Sequence, residues 1–201
     1  YIMVWGFPNP KSHQVFLRDL HWADLYEIPT MQLKIAQNAK KYTIEISMDD
    51  QIAFEYTDNI YSTGRIHVKK NSEYLKWRYR DNPINKYTNL VIAKENKVSS
   101  FCIVKKYCNT LDIVDFQAKN EEEGEKLLIE AVSFACQNKL ECINCWAPRH
   151  HFFHSLCEKM GFINREPITY LGYRQLAENK LKKISNNYSD WYIQMGDSDV
   201  Y

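Results

Sequence analysis

The chain has 201 residues, which fits one or two domains, and its 45% hydrophobic and 14% aromatic residues are enough to fill a packed core. Its 26 basic and 25 acidic residues nearly cancel, so the charge does not indicate nucleic acid or an anionic membrane as a partner. The sequence contains no apolar run of the roughly 20 residues needed to span a membrane and no recognisable signal peptide, so we expect a cytoplasmic protein.

The chain begins with a short block that occurs again near residue 150 with the same internal spacing. Pro8 and Pro148 are 140 positions apart, and so are Trp22 and Phe162. Each copy predicts a strand, a proline turn and a helix, followed by an aromatic residue at the start of the next strand. We therefore expect residues 1–22 and residues 141–162 to fold alike.

Two copies predict two similar domains, of which the first lacks its beginning. The sequence starts inside an apolar strand, Tyr1–Gly6, which needs neighbouring strands to satisfy its backbone groups. We expect the chain to be part of a longer tandem protein. Its first domain is predicted to end at residue 57, and residues 58–70, which have few large apolar side chains and include Gly64, are predicted to be a linker.

Before this linker, the stretch 28–38 is expected to be helical or irregular, and strands are predicted at Tyr42–Met48 and Ile52–Thr57. The second domain is predicted to cover residues 71–201. Its expected elements, in chain order, are a helix capped at Asn71 or Ser72, strands at Asn89–Ala93, Ser99–Lys106 and Leu111–Gln117, a helix at Glu121–Asn138, a strand at Cys142–Ala147, a helix at His150–Met160, and strands at Phe162–Tyr173 and Trp191–Met195. Antiparallel strands followed by a βαβ unit predict a mixed sheet flanked by helices.

The six cysteines lack the spacing of a secreted disulfide scaffold, so we expect free thiols. Cys142 and Cys145, with His150 and His154 on the next helix, can be written as a zinc ligand set. Residues three apart on a strand point to opposite faces, however, and only a broken strand would bring both thiols to one metal. We expect no metal site.

Two sets of motifs give the chain a family resemblance. The block that ends in Leu156–Phe162 resembles the strand, helix and Gly-Phe signature of the GNAT acyltransferase superfamily, and the repeat at Pro8–Trp22 resembles an altered second copy. The segments Tyr74–Tyr79 and Trp191–Asp199 resemble bacterial tandem GNAT-like proteins. The resemblance implies an α/β (α+β) fold with a mixed, mostly antiparallel sheet flanked by helices. It also implies acyl transfer from acetyl-CoA to an amine acceptor.

The family binds the cofactor pyrophosphate at a helix start with the pattern Arg or Gln, two residues, Gly, one residue, Gly or Ala. This chain has Lys119, then Glu122 in place of the first glycine, then Gly124. Like charges about 4 Å apart repel by about 1 to 4 kcal/mol, depending on screening. Such repulsion from the glutamates exceeds the helix-end attraction of roughly 0.3 to 1 kcal/mol. We expect the second domain to bind acetyl-CoA poorly.

The resemblance also gives candidate catalytic residues. Cys157 stands where the family has a tyrosine that protonates the leaving thiolate, and an ordinary buried cysteine is the alternative. Asp115 lies on an apolar strand face and is a candidate base, the alternative being a carboxylate paired with an arginine or a backbone N–H. Further cofactor contacts are implied at Asn9, Phe116 and Arg149.

Three functions remain open. The first is a GNAT-type acyltransferase to which this chain contributes a degenerate second domain, together with a missing N-terminal half or a partner subunit. The second is a GNAT-like domain with a structural or interaction role and no small-molecule site. The third is a Fem-type aminoacyl transferase, which also pairs two such domains but takes its acyl group from tRNA, a substrate that the near-neutral charge does not favour.

Overall fold

The computed structural model describes residues 2–36, 66–94, 97–176, 185–199 and 201. The predicted strands at Tyr42–Met48 and Ile52–Thr57, and most of the predicted linker, lie outside these residues. The domain limits at residues 57 and 71 therefore stay a prediction.

Nine strands and four α-helices form within the described ranges. The strands are β1 (Met3–Gly6), β2 (Ala23–Lys34), β3 (Ile66–His67), β4 (Tyr87–Lys94), β5 (Lys97–Tyr107), β6 (Thr110–Gln117), β7 (Cys142–Cys145), β8 (Ile163–Gln175) and β9 (Trp191–Tyr192). The helices are α1 (Pro10–Arg18), α2 (Ser72–Leu75), α3 (Glu121–Gln137) and α4 (Phe152–Lys159). A π-helical turn, Lys76–Arg80, continues α2, and 3₁₀ turns lie at Tyr188–Asp190 and Met195–Asp197.

Seven of the strands form one sheet in the order β1-β8-β2-β7-β6-β5-β4. Every neighbouring pair in it is antiparallel except β6 and β7, which are parallel. Strands β3 and β9 make a separate parallel pair. The predicted α/β class and the mostly antiparallel sheet flanked by helices are confirmed. The meander β4-β5-β6, the helix α3 and the unit β7-α4-β8 follow in the predicted order.

The two sequence copies form matching units that exchange their second strands. The first unit is β1-α1-β2 and the second is β7-α4-β8, so the strand, turn and helix predicted for each copy are confirmed. Strand β1 pairs with β8, β7 pairs with β2, and β2 and β8 pair with each other in the centre. The two units are thus related by an approximate local two-fold axis between β2 and β8.

The expectation that residues 28–38 are helical or irregular is wrong for the residues described, because β2 runs from Ala23 to Lys34. Pro29 cannot donate a hydrogen bond and is unusual inside a sheet. The chain accommodates it with a shift of register between Pro29 and Thr30 in the pairing with β8. A proline in the middle of a strand removed the simple alternation that identifies strands in a sequence.

The sheet has a hydrophobic core on each face. Helices α3 and α4 cover one face, where Leu127 and Leu156 are buried. The π-helical turn after α2 and the residues around β9 cover the other, where Tyr79 and Trp191 are buried. Burying one such large side chain contributes about 1.5 to 3 kcal/mol, so the two cores hold the covering segments against the strands.

The outer edge of β1 is open in the described part of the chain. Its counterpart β7 has β2 on one side and the parallel strand β6 on the other, whereas β1 has only β8. An unpaired strand edge presents a row of backbone donors and acceptors. This edge leads directly into the turn before α1.

Candidate functional site

The turn between β1 and α1 is built by the capping of the helix. Asn9 is the N-cap residue, and its side-chain oxygen accepts hydrogen bonds from the backbone N–H groups of Lys11 at 3.0 Å and Ser12 at 2.9 Å. Pro10 occupies the first helical position, where its missing N–H costs nothing. The side chain of Asn9 is thereby held at the start of the helix, with its amide N–H₂ group left to donate.

A pocket of about 410 Å³ opens beside this turn, within the size range of small-molecule sites. We call it the β1–α1 pocket. It is lined by Trp5, Gly6, Phe7, Pro8, Asn9, Ser12, Phe16, Asp197 and Asp199. It combines aromatic walls with the polar start of a helix, where the backbone dipoles favour negative charge. The two aspartates border it from the C-terminal part of the chain.

The corresponding place in the second unit is occupied by protein. Strands β6 and β7 pair only over Thr110–Ile113 and Cys142–Cys145. Beyond that point the backbone N–H of Phe116 donates to Oε1 of Gln194 at 2.6 Å, and Nε2 of Gln194 donates to the carbonyl oxygen of Phe116 at 2.7 Å. Both backbone polar groups of Phe116, a predicted cofactor contact, are therefore already bonded.

Gln194 belongs to the stretch Trp191–Asp199, which we call the closing segment. The hydroxyl of Tyr192 donates to the same Phe116 carbonyl at 3.0 Å. A capping box joins Gln194 and Asp197 around the 3₁₀ turn, and the backbone N–H of Gln194 donates to Oδ2 of Asp197 at 2.8 Å. These bonds hold the closing segment against β6.

A buried cluster of charges lies beneath the closing segment. The ammonium of Lys70 is 2.8 Å from a carboxylate oxygen of Asp115 and 2.8 Å from one of Asp197. The hydroxyl of Tyr79 donates to Asp115 at 2.8 Å. The side chains of Lys70, Asp115 and Asp197 are all at most 2% exposed. Asp115 is thus a paired carboxylate, and its main partner is a lysine rather than an arginine or a backbone N–H.

Burial and mutual interaction set the protonation of this cluster. Burial lowers the pKa of Lys70, but the carboxylates of Asp115 and Asp197 outweigh it and raise the pKa of this lysine above its ordinary value. Burial raises the pKa of Asp197, and repulsion from Asp115 adds to this against the attraction of Lys70. Burial and the negative charge of Asp115 raise the pKa of Tyr79 well above 10.0. Lys70 therefore stays positively charged at neutral pH.

The start of α3 is the predicted pyrophosphate site, and its glutamates were expected to repel that group. Their contacts in the structure differ from this expectation. Asn120 caps the helix by accepting from the backbone N–H of Glu123. The carboxylate of Glu123 turns inward and accepts hydrogen bonds from the hydroxyls of Ser99 and Ser100. Glu122 pairs with Lys126 at 2.6 Å on the surface. Glu123 thus serves the packing of α3 on β5 and does not face an external ligand.

Gly124 and Lys119 also have structural partners. A Cβ added at Gly124 would lie 2.8 Å from Leu156 and 3.2 Å from Phe152, so this glycine allows α3 and α4 to approach closely. The side chain of Lys119 is exposed, and its backbone N–H donates to the hydroxyl of Ser100 at 2.9 Å. The predicted role of both residues in cofactor binding stays a prediction.

The remaining predicted residues of the second unit lie apart from one another. Cys157 is fully buried in the core, 3.8 Å from Cys145 through their sulfurs, and burial raises its pKa well above 9.0. Arg149 is exposed in the turn before α4. The structure therefore places Asp115 and Phe116 beside the closing segment, Asn9 at the β1–α1 pocket, and Cys157 inside the core.

Three residues of this region were not predicted from the sequence to be site residues: Lys70, Tyr79 and Gln194. Lys70 fell in the predicted linker, and nothing near it in the sequence marks it as buried. Its partners Asp115 and Asp197 are far away along the chain, and local spacing carries no record of such pairs. The acidic residues near the end of the chain were the one available signal for a buried lysine. Carboxylates that are buried need a buried cation as a partner.

Three further findings concern the cysteines, metals and membranes. All six cysteines are free thiols, as predicted. In the ranges that the structure describes, no group of three or more His, Cys, Asp or Glu side chains is arranged to hold a metal ion. None of the described helices combines the length and the apolar character that crossing a membrane requires.

Solved structures share this fold at low sequence identity. The GCN5-related N-acetyltransferase from Anabaena variabilis is 9% identical with a TM-score of 0.54, over 87% of this chain and 46% of its own. The one from Kribbella flavida is 11% identical with a TM-score of 0.53, over 88% and 43%. The one from Sphaerobacter thermophilus is 11% identical with a TM-score of 0.52, over 86% and 59%.

The chain spans about half the length of these solved proteins. No protein family and no curated protein matches it by sequence. At these low identities the similarity is one of fold. The described part of the chain has the fold of the GCN5-related N-acetyltransferases, which is the GNAT fold.

Proposed function

We propose that this chain is part of a cytoplasmic GNAT-type acyltransferase that transfers an acetyl group from acetyl-CoA to an amine acceptor. In this proposal the β1–α1 pocket holds part of the acyl donor. The second unit, β7-α4-β8 with the strands beside it, does not bind the donor and supports the first. The fold and the contrast between the two units support the proposal.

The observation that carries it is the double hydrogen bond between Gln194 and Phe116. A ligand that enters between β6 and β7 needs free backbone groups, because a buried polar group without a partner costs about 1 to 3 kcal/mol. The closing segment already satisfies those groups in the second unit. The β1–α1 pocket, at the matching place in the first unit, is open.

The local two-fold axis indicates what completes the open site. Strand β7 has the parallel strand β6 along its outer edge, so a parallel strand along β1 would make the two units alike. A preceding half of the protein or a partner subunit would supply this strand and close the pocket from that side. The proposed amine acceptor would reach the acyl group there.

Asp115 and Cys157 take structural roles in this proposal. Asp115 is held by Lys70 and Tyr79, and Cys157 lies in the core against Cys145. Neither side chain lines the β1–α1 pocket. The base that takes the proton of the amine would then come from the segment that completes the site.

A structural or interaction domain without a small-molecule site is the second candidate, and the closing segment favours it. In that case the open edge of β1 would still bind a strand, but the pocket beside Asn9 would bind no cofactor. The two candidates differ in whether acetyl-CoA binding depends on Asn9.

The test compares two N-cap residues in the full-length protein that contains this chain. Asn9→Asp keeps the cap, since Asp caps helices as well as Asn does, but it places a negative charge beside the proposed donor. Asn120→Asp makes the same change at the start of α3, the predicted pyrophosphate site. We expect Asn9→Asp to weaken acetyl-CoA binding, measured by calorimetry, by about tenfold or more, and Asn120→Asp to leave it unchanged.

Two results would contradict the proposal. Tight acetyl-CoA binding that is lost in Asn120→Asp and kept in Asn9→Asp would place the donor at the start of α3. Absence of acetyl-CoA binding by the full-length protein would favour the structural domain. Thermal unfolding of both variants serves as the control for folding, because the cap is preserved in each.

A further inference from the structure

A row of polar side chains crosses four strands on the sheet face that points away from α3 and α4. It consists of Lys105 on β5, Asp112 on β6, Asn144 on β7 and Gln32 on β2, each in register with the next. The residues on either side of Asp112 in the strand, Leu111 and Ile113, belong to the core under the helices. Side chains alternate along a strand, so the polar row faces the other way.

The row is connected by hydrogen bonds that all run towards Asp112. Nε2 of Gln32 donates to Oδ1 of Asn144 at 2.9 Å, and Nδ2 of Asn144 donates to Oδ1 of Asp112 at 3.0 Å. Lys105 stands on the other side of Asp112 and is 8% exposed, while Asp112 is 5% exposed. Two opposite charges are thus fixed next to each other on rigid strands.

This row forms the floor of a pocket of about 420 Å³, which is within the range of small-molecule sites. Tyr107, Met195, Tyr201 and Glu166, a second carboxylate besides Asp112, are among the residues that line it. The pocket is separate from the β1–α1 pocket, and the two share no lining residue.

The two charges at the floor form no close ion pair in the part of the chain that the structure describes. Neither has an oppositely charged side chain within 4.0 Å, although Nζ of Lys105 lies 5.9 Å from the centre of the Tyr107 ring and its charge acts on Asp112. Burial raises the pKa of Asp112, although the hydrogen bond from Asn144 and the charge of Lys105 work against the rise. Charged groups that are this buried are stable when each has a partner.

We propose that this pocket binds a free α-amino acid, with its ammonium against Asp112 and its carboxylate against Lys105. Side chains directly opposite each other on antiparallel strands have Cβ atoms about 4.5 to 5.5 Å apart. One small molecule that carries both charges on the same carbon can bridge that distance. The amino-acid side chain would lie towards Tyr107 and Tyr201, whose rings offer apolar surface.

The first test uses the unmodified chain and a series of ligands in the absence of CoA, so that its outcome does not depend on acyl transfer. L-Alanine, L-leucine and L-lysine are titrated by calorimetry, each beside its N-acetyl and its carboxamide derivative. We expect saturable binding of at least one free amino acid with a Kd of about 1 mM or tighter. Each derivative lacks one charge and should bind that site about tenfold more weakly or worse.

The second test assigns each charge to its partner. In Asp112→Asn the free amino acid should lose its advantage over the N-acetyl derivative, and in Lys105→Gln it should lose its advantage over the carboxamide. Lys106→Gln is the matched control, because Lys106 is the next residue along β5, is exposed and bonds to Asn138. It should change neither preference.

The proposal is overturned if no free amino acid in the series binds at about 10 mM, or if the unmodified chain binds the derivatives as well as the free amino acids. It is also overturned if both preferences survive in Asp112→Asn and Lys105→Gln. Circular dichroism of the variants shows whether they fold, and the ligand series on the unmodified chain decides the matter if they do not.

Discussion

Gln194 binds the main chain of Phe116 through both ends of its carboxamide, although the two residues are 78 positions apart. A side-chain amide thus takes the place that a neighbouring strand would have along this part of β6. The parallel strand β7 has already turned away towards α4 at this level. The bond closes the second unit and distinguishes it from the first.

The first prediction removes one half of this double bond. Gln194→Glu is nearly isosteric, but an ionised carboxylate cannot donate to the carbonyl of Phe116. We expect the free energy of unfolding, measured in urea, to fall by about 1 to 3 kcal/mol, because the Phe116 carbonyl keeps only the Tyr192 hydroxyl as a donor and the new carboxylate is buried. Glu125→Gln on the exposed face of α3 should change it by less than about 0.5 kcal/mol. Equal stability of Gln194→Glu and the unmodified chain would mean that the bond is dispensable.

The second prediction concerns the buried cluster of charges. Lys70→Met should lower the free energy of unfolding by about 3 to 5 kcal/mol, because it leaves Asp115 and Asp197 buried without their cation. The matched control is Lys69→Met, since Lys69 is the adjacent lysine and is exposed. Adding Asp115→Asn to Lys70→Met should restore part of the loss by removing one uncompensated charge. If the double variant is less stable than Lys70→Met alone, repulsion is not the cause.

The third prediction tests the packing of the closing segment. A Cβ at Gly196 would lie 2.1 Å from the hydroxyl oxygen of Tyr79 and 2.9 Å from the backbone oxygen of Val114. Gly196→Ala must therefore displace Tyr79 from Asp115 or move the segment, at a cost of about 1 to 3 kcal/mol. At Gly6 the nearest atom to an added Cβ is 3.6 Å away, so Gly6→Ala should be neutral or slightly stabilising. Thermal unfolding of the two variants compares them, and similar melting temperatures would count against the contact.

The fourth prediction concerns alkaline pH. Burial raises the pKa of the Cys102 and Cys157 thiols well above 9.0, so both keep their protons in the folded state while the unfolded chain loses them. The unfolded state then binds fewer protons, and the free energy of unfolding falls as pH rises above 9.0. The slope should approach about 1.4 kcal/mol per pH unit for each thiol.

Urea unfolding at a series of pH values from about 8 to 10 measures this slope. Cys157→Ala should make the fall of the unfolding free energy with pH shallower, by the contribution of one thiol. Cys136→Ala, at a partly exposed position, is the control and should keep more of the slope. An identical slope in Cys157→Ala and in the unmodified chain would show that this thiol ionises alike in both states.

The sequence by itself determined the local elements of this protein. The 140-residue spacing between Pro8 and Pro148 predicted two matching units, because local periodicity and turn chemistry act within a few residues and are written in the sequence. The same holds for α3, whose apolar residues recur at helical spacing. The class of fold followed from the order of these elements.

Only the tertiary structure decided which strands pair and which site is open. The exchange of β2 and β8 between the units depends on contacts between residues more than a hundred positions apart, as in the pairing of Met31 with Asn164. The residues that neighbour Lys70 and Gln194 in the sequence do not mark these two as buried. Only the folded chain brings them to Asp115 and Phe116. Pairing energy depends on proximity in space, and a sequence read by local spacing does not contain that proximity.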